Sequence, residues 1–338
     1  MEDMEIDRDS VDELNAKVCP LVFPTTEEVV LLRDSLKGQL SDSLNVELLY
    51  HYTNCEVAQE LFKENADLWC THYRFMNDSK EWFSGLELIG DILRNQGSDE
   101  LADEVDLLPE KIGCAPWITS FSMNCDKASM WGMYCDRSNG GFALGFNLVD
   151  LEQLIDQKNK SSQDEYFLLP CIYDTNTVKS ILTYILDECH SDEDEHLCRE
   201  GCVYELTPRI LSRIFFLSLI VKHPSFDYEN EWRLIVRKHD ALPLEDEGLR
   251  MLYSNSDDEK PHIVSGLFEK PLRDYFAHII VSPCENVDAN NRRAKSDYQQ
   301  KRKNITCSAF QNFHSRSALS PAVATAFHSG CKVKRVAN

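Results

Sequence analysis

The sequence ENEWRLIV occupies residues 229–236 and decides the fold class. Trp232, Leu234 and Val236 alternate with the other side chains, and side chains two positions apart on a strand share one face. This stretch therefore predicts a β-strand with one apolar face that packs on a core.

Two acids and a base follow the same alternation. Glu229, Glu231 and Arg233 are expected on one face of the strand. Carboxylates held this close repel each other, so one pKa should rise unless Arg233 or a ligand hydroxyl compensates. Paired acids suit a reaction at an electron-poor sugar carbon, where one stabilises an oxocarbenium-like centre and the other activates the nucleophile. The alternative interpretation is an edge strand on which Glu229 and Arg233 face solvent.

The patterns outside this strand predict an α+β protein. Asn54 is a candidate N-cap for a helix over 56–62, and a polar stretch at 95–103 is expected to be an exposed connection. Apart from 168–173, the middle region is expected to be helical, and an acidic loop is expected at 240–262. The remaining predicted strands cover 47–53, 68–73, 117–122, 141–146, 277–282 and 305–310; the remaining predicted helices cover 81–93, 126–135 and a basic segment at 292–303.

Composition restricts the classes of function. The net charge of -22, from 35 basic and 57 acidic residues, argues against sequence-independent capture of nucleic acid. The longest apolar run, residues 214–221, is shorter than the roughly 20 residues that a membrane span needs, and the N-terminus has no signal-peptide pattern. Thirteen scattered cysteines favour reduced thiols in the cytoplasm. The best zinc candidate, His196 with Cys198 and Cys202, lacks the paired Cys-x-x-Cys spacing of structural sites, so packed cysteines are the preferred interpretation and no metal is expected.

Two polar pairs precede the acidic strand. His51 and Thr53 are two apart on a predicted strand, and together they could hold a ribose diol or an amide. Ser120 and Ser122 repeat this spacing with two hydroxyls. The alternative for both pairs is a polar spot beneath a sheet whose hydrogen bonds are satisfied by the protein itself.

Two aromatic residues lie three apart on a predicted short helix. Trp131 and Tyr134 could flank a planar cationic ring such as nicotinamide. The alternative is that Trp131 belongs to the core, in which case Tyr134, with its polar hydroxyl, is the pocket residue. Three common motifs are absent from the sequence. They are the phosphate-binding loop that contains Gly-Lys, the dinucleotide-binding Gly-x-Gly-x-x-Gly and the nucleophile elbow Gly-x-Ser-x-Gly.

The order of the motifs resembles a widespread bacterial family of uncharacterised domains over about residues 47–315, and it is similar to the ADP-ribosyltransferase fold. The motifs are YHYT at 50–53, FMND at 75–78 with Glu81, SFS at 120–122, WGMY at 131–134, the strand at 141–146, KH at 222–223 and ENEWR at 229–233. This resemblance implies a bent, split, mixed sheet with helical insertions that grips NAD in a central cleft. The expected ADP-ribosyltransferase-like domain covers 46–318, with a helical insertion at about 150–222. The acidic composition and amphipathic pattern of residues 1–45 predict a helical appendage before it, and residues 319–338 are expected to be a tail.

The resemblance assigns expected roles to individual residues. Glu231 would hold the nicotinamide ribose and stabilise the cation, while Glu229 would activate the acceptor. The cofactor-binding residues would be His51 and Thr53 at the adenosine-side ribose, Ser120 behind the catalytic strand, Tyr134 near nicotinamide, and Tyr52, Ser122, Trp131 and Arg233 around them. The chain departs from the usual forms of the fold, because it combines a first-strand histidine with Ser-x-Ser and Glu-x-Glu motifs that usually accompany a first-strand arginine.

The expected function is NAD-dependent modification of a protein or nucleic-acid acceptor. The resemblance implies a toxin, a phage-defence protein or an effector in a bacterial cytoplasm, with a neutralising protein as a further partner and no membrane. Two alternatives stay open: a noncatalytic nucleotide-sensing or protein-interaction module, and a nucleic-acid-cleaving enzyme that uses the basic segment at 292–303.

Overall fold

A computed structural model describes residues 46–76, 81–108, 116–135, 141–191, 203–239, 254, 260–282 and 332–334. The predicted appendage at 1–45, the basic helix at 292–303 and the strand at 305–310 lie outside these residues. Most of the acidic loop predicted at 240–262 also lies outside them.

The described chain is an α+β structure, as predicted from sequence. The strands are β1 Leu48–Asn54, β2 Trp69–His72, β3 Pro116–Ser122, β4 Gly141–Asn147, β5 Glu165–Pro170, β6 Glu231–Arg237, β7 His262–Val264, β8 Phe276–Val281 and β9 Lys332–Lys334. The α-helices are α1 Cys55–Leu61, α2 Glu81–Asn95, α3 Asp99–Asp106, α4 Ala128–Tyr134, α5 Leu148–Ser161, α6 Thr175–Ser191 and α7 Val203–Ser218, and short 3₁₀ helices cover Tyr73–Phe75, Pro224–Glu229 and Leu272–Tyr275.

One sheet connects all the described strands. Its order is β5-β6-β3-β1-β4-β8-β9, with β2 paired to β3 and β7 paired to β2. The pairs are antiparallel except for β8 and β9, which run parallel. β6 therefore lies between β5 and β3 in the interior of the sheet, which contradicts the edge-strand interpretation of residues 229–233.

The two faces of β6 enter different cores. Trp232, Leu234 and Val236 pack in a core that includes residues of α1 and α5, as the alternation predicted. Ile235 belongs to the opposite core, formed with residues of α2, α3, α6 and α7. These helices cover the face that carries Glu231 and Arg233, so both of these side chains are buried.

The helices follow local sequence signals with one exception. The Asn54 side chain accepts a 2.8 Å hydrogen bond from the backbone N–H of Val57, which confirms the predicted N-cap of α1. The prediction of an exposed connection at 95–103 is wrong, because α3 begins at Asp99. Acidic residues in a first turn favour the positive end of a helix, and the fully buried Ala102 and Val105 anchor α3 to the core.

The middle region contains α5, α6 and α7, as predicted, but its strand begins earlier than the predicted break at 168–173. β5 runs from Glu165 to Pro170 and pairs with β6 along its whole length. None of the described helices combines the length and the apolar character needed to cross a membrane.

Gly85 permits the close packing of α2 on the end of α7. A Cβ atom at Gly85 would lie 2.7 Å from the backbone oxygen of Ser218. We expect Gly85→Ala to lower the free energy of unfolding by about 1–3 kcal/mol, because backbone cannot move aside as a side chain can. Gly132→Ala in α4 is the matched control: its Cβ meets nothing within 4 Å, so helix propensity predicts a gain of up to about 1 kcal/mol. Equal urea midpoints for the two variants would contradict the close contact.

Candidate functional site

The sheet forks where β1 leaves β3. Strand β1 is paired with β3 at Tyr50, opposite Ser122, and pairs with β4 along its whole length. Farther down the same edge of β3, strand β2 takes the neighbouring position, with Thr71 opposite Ile118. Strands β1 and β2 thus pair with successive parts of one edge of β3, and a gap lies between them.

A cavity of about 160 Å³ occupies this fork. Ligand pockets are usually about 300–1,000 Å³, so the cavity matches one ring or sugar of a larger ligand. Seven of the predicted site residues line it: His51, Tyr52, Ser120, Ser122, Tyr134, Glu229 and Glu231. Tyr50 and Met76 also line the cavity, and they lay in quoted motifs but had no predicted role. Sequence reasoning missed other lining residues, among them Trp69, Thr71 and Lys260.

Three predicted residues do not line the cavity. Thr53 is buried and lies opposite Phe142 on β4. The Trp131 indole packs edge-on against Tyr52, with ring centroids 4.8 Å apart, and its Nε1 donates a 2.8 Å hydrogen bond to Asp126 Oδ1. Trp131 therefore has the core position that the alternative interpretation gave it, and Arg233 lies among the charges described below.

The His51 side chain connects β1 to β3 at the fork. Its Nδ1 lies 3.0 Å from the backbone oxygen of Ser120, so Nδ1 carries the proton and donates it to that oxygen. Burial lowers the pKa of His51, and the bond to Ser120 only partly offsets this effect. The imidazole is thus neutral near pH 7, and Nε2 is an acceptor suited to a ribose hydroxyl.

Four buried charges meet beside the cavity. Lys222 Nζ donates to Glu229 Oε2 at 2.6 Å and to Glu231 Oε2 at 2.8 Å. Arg233 donates two hydrogen bonds to Glu231, from Nε to Oε1 at 3.0 Å and from a terminal nitrogen to Oε2 at 3.1 Å. All four side chains are less than 5 % exposed. Two cations thus balance two carboxylates.

Lys222 and Arg233 keep Glu231 ionised. Burial by itself raises the pKa of Glu231, but the charges of Arg233 and Lys222 and their hydrogen bonds outweigh burial and hold the pKa well below its ordinary value. Compensation by Arg233 was one of the possibilities inferred from sequence. The second cation, Lys222, was part of a quoted motif but had no predicted role, because nothing in its spacing from the two acids indicates contact.

Glu229 reaches this cluster by a different route from the one predicted. β6 begins at Glu231, whereas Glu229 ends a 3₁₀ helix, and Asn230 between them has a left-handed backbone with φ 44°. The placement of Glu229 on the strand was therefore wrong, although its carboxylate still meets Glu231 at Lys222. The Ser122 hydroxyl donates a 2.5 Å hydrogen bond to the backbone oxygen of Glu229, which fixes this turn against β3.

The segment after β3 holds the preceding residue of the 3₁₀ helix. Asn124 Nδ2 and Lys127 Nζ both donate to the backbone oxygen of Tyr228, at 2.9 and 2.7 Å. The Tyr52 hydroxyl in turn donates to the backbone oxygen of Asn124 at 2.8 Å. A continuous set of hydrogen bonds therefore connects β1, the segment after β3 and the turn that carries Glu229.

His72, on β2 beside the fork, is expected to make the stability of the fold sensitive to acid. Burial, with a smaller effect from Arg74, lowers the pKa of His72 to about 3, and Nδ1 accepts a hydrogen bond from the Arg74 backbone. The unfolded pKa is about 6.5, so the unfolded chain binds more protons between these values. We expect stability to fall as pH decreases below about 6.5, with His72 contributing up to about 1.4 kcal/mol per pH unit.

Urea unfolding at several pH values between 7 and 4 measures this contribution. The His72→Phe variant keeps an aromatic ring beside Trp117, whose ring centroid lies 5.0 Å away, and it removes the titrating group. A shallower pH dependence in the variant is the expected result, whereas identical slopes would show that another group causes the acid sensitivity.

A family model described as "Protein of unknown function (DUF2971)" matches residues 130–234. The match begins inside α4 and ends inside β6, so it includes Tyr134, Lys222 and both acids of the cluster. It supports a relation to a family of uncharacterised domains, as the motif order suggested. No curated protein and no solved structure matches the chain.

Proposed function

We propose that the protein is an NAD-dependent ADP-ribosyltransferase-like enzyme that modifies a protein or nucleic-acid acceptor. The observation that carries the proposal is the position of Glu229 and Glu231, which both line a cavity in a forked, mostly antiparallel sheet, beside His51. A split sheet with these acids is also what the motif resemblance implies.

The charge arrangement supports cleavage of a ribosyl bond. Glu229 and Glu231 line the cavity, whereas Lys222 and Arg233 are not among its lining residues. The cations can therefore keep Glu231 ionised without lining the cavity themselves. Negative charge at this place favours the oxocarbenium-like centre that forms when the bond between ribose and nicotinamide breaks.

In the proposed reaction, each of the side chains that line the cavity and are named below has one role. The bond between the ribose C1′ and nicotinamide breaks, and its electron pair leaves with the nicotinamide nitrogen. Glu231 orients the ribose hydroxyl and stabilises the cation, while Glu229 accepts the proton of the acceptor group as that group bonds to C1′. His51 Nε2 accepts a hydrogen bond from the other ribose, and Tyr134 borders the nicotinamide ring.

Nicotinamide release tests the proposal. Purified protein is incubated with NAD, with and without cell lysate as a source of acceptor, and its melting temperature is measured with and without NAD. We expect release that increases with lysate, and a stabilisation of about 2.7 kcal/mol when NAD is present at a hundred times its dissociation constant. No release and no rise in melting temperature would refute the NAD site.

A second candidate function is a noncatalytic nucleotide-binding module. It is favoured by the engagement of Glu231, because both carboxylate oxygens accept hydrogen bonds from Arg233 and one also accepts from Lys222. The Cys171 thiol lies 3.5 Å from that same oxygen. A ribose hydroxyl would have to compete with these bonds. A rise in melting temperature with NAD but no nicotinamide release would establish this alternative.

The proposed setting is a bacterial cytoplasm, where a toxin, phage-defence protein or effector of this kind would need a neutralising partner. Support comes from three cysteines in the described part of the chain, Cys70, Cys125 and Cys135, which are free thiols. Free thiols are typical of reducing compartments.

A further inference from the structure

Trp69 is an exposed aromatic residue at the entrance to the cavity. Its side chain is 36 % exposed although it lines the cavity. A tryptophan buries 150–250 Å² when it is packed in a core, so leaving its ring partly in water forgoes a large stabilisation. The ring is therefore available to a ligand at the position where the fork opens.

The surrounding strands hold this ring in place. The His262 imidazole stacks on it with centroids 4.5 Å apart and planes 23° from parallel. The Trp69 backbone is fixed on both sides, because it pairs with Val264 on β7 and its oxygen accepts a 2.7 Å hydrogen bond from Thr119 Oγ1. A ring fixed before binding loses little conformational freedom when a second ring stacks on it.

A cation accompanies the ring. Lys260 also lines the cavity, and its backbone oxygen lies 3.2 Å from His262 Nδ1. This contact ties Lys260 to the imidazole that supports Trp69. An indole and a lysine that line the same cavity match a nucleotide, which presents a flat base next to a phosphate.

The ring is too far from the acids to contact the same part of a ligand. Strands β2 and β6 flank β3 on opposite edges, so about two strand spacings, roughly 10 Å, separate them. Glu231 lies opposite Ser122 on β3, whereas the register of β2, with Thr71 opposite Ile118, places Trp69 level with Ser120, two residues away along β3. A ligand whose sugar meets Glu231 would need a second ring to reach Trp69.

We propose that Trp69, supported by His262, is a stacking platform for the adenine ring of an adenine nucleotide, with Lys260 contacting the adjacent phosphate. This inference rests on the proposed function, because NAD carries its adenine one diphosphate away from the nicotinamide ribose. It also explains how a cavity smaller than a dinucleotide could take one, since the adenine half would lie on the open β2 side.

Binding of AMP, adenosine and nicotinamide mononucleotide to the full chain tests the platform. Trp69→Leu is expected to weaken AMP binding about 5- to 150-fold, the effect of losing one base–aromatic stack, while Trp69→Phe restores part of the affinity. Nicotinamide mononucleotide should bind all three proteins equally. Lys260→Met should weaken AMP but not adenosine. Phe83→Leu, which changes an exposed ring of α2 that does not line the cavity, is the control, and melting curves check that each variant folds.

The outcomes separate this inference from the proposed function. AMP affinity that is unchanged in Trp69→Leu overturns the platform, and so does a loss confined to nicotinamide mononucleotide. If NAD still binds and releases nicotinamide in that case, the transferase proposal stands without the platform. Trp69-dependent AMP binding without nicotinamide release supports the platform and overturns the transferase. A wild-type protein that binds no nucleotide overturns both.

Discussion

Replacing Lys222 by methionine is expected to lower the free energy of unfolding by about 3–5 kcal/mol, the usual cost of removing one partner from a buried ion pair. Lys222 Nζ lies between the carboxylates of Glu229 and Glu231. Without it, the two acids share a buried site in which Arg233 still pairs with Glu231. Methionine keeps much of the length of the side chain, so the loss reports chiefly the charge.

Urea unfolding of Lys222→Met measures this cost, and two further variants identify its origin. Lys238→Met breaks the ion pair between Lys238 and Asp164, whose side chains are 28 % and 24 % exposed. This change should lower the free energy of unfolding by no more than about 1 kcal/mol. Adding Glu229→Gln to Lys222→Met should recover part of the loss, because it removes the carboxylate that has lost its cation. Equal costs for the two lysine variants, or strictly additive effects in the double variant, would contradict a coupled cluster.

Substitutions of the two acids are expected to separate their roles in turnover. Glu231→Gln keeps the shape of the side chain but removes the negative charge, so nicotinamide release should fall about 10²- to 10³-fold, as when an electrostatic stabiliser of a transition state is lost. Glu229→Gln should lower transfer to the acceptor about 10²- to 10⁴-fold, the usual effect of losing a general base. The measurements are initial rates of nicotinamide release and of acceptor labelling.

The control for both substitutions is Glu165→Gln on β5. Glu165 pairs with Arg237 on the neighbouring strand and does not line the cavity, so the same chemical change there should leave turnover intact. The folded fraction of each variant is measured by thermal unfolding, because Glu231→Gln also leaves two cations facing one carboxylate. A folded Glu231→Gln protein that turns over at the wild-type rate would exclude Glu231 as the group that stabilises the cation.

Local sequence signals were sufficient for much of the sheet. The alternation of Trp232, Leu234 and Val236 predicted both β6 and its apolar face, and Asn54 predicted the beginning of α1. These signals work because side-chain alternation and helix capping depend on residues within a few positions of one another. The same reasoning failed at 95–103, where the buried contacts of Ala102 and Val105 stabilise a helix that the polar composition did not indicate.

The candidate site was only partly predictable. Seven lining residues were found from motifs, but the turn at Asn230 was read as strand, because the strand pattern of β6 was extended back through it. Trp69 and Lys260 gave no signal, since an aromatic residue at the beginning of a strand and a lysine in an acidic region are both ordinary.

By itself, therefore, the sequence determined the α+β class, the alternating faces of β6 and the presence of two acids near the beginning of that strand. Only the tertiary structure decided that β6 lies inside the sheet, that β1 and β2 diverge from one edge of β3, and that Lys222 joins Glu229 to Glu231. The physical reason is that periodicity is encoded over a few residues, whereas strand order and the balance of buried charge depend on contacts between segments far apart in the chain.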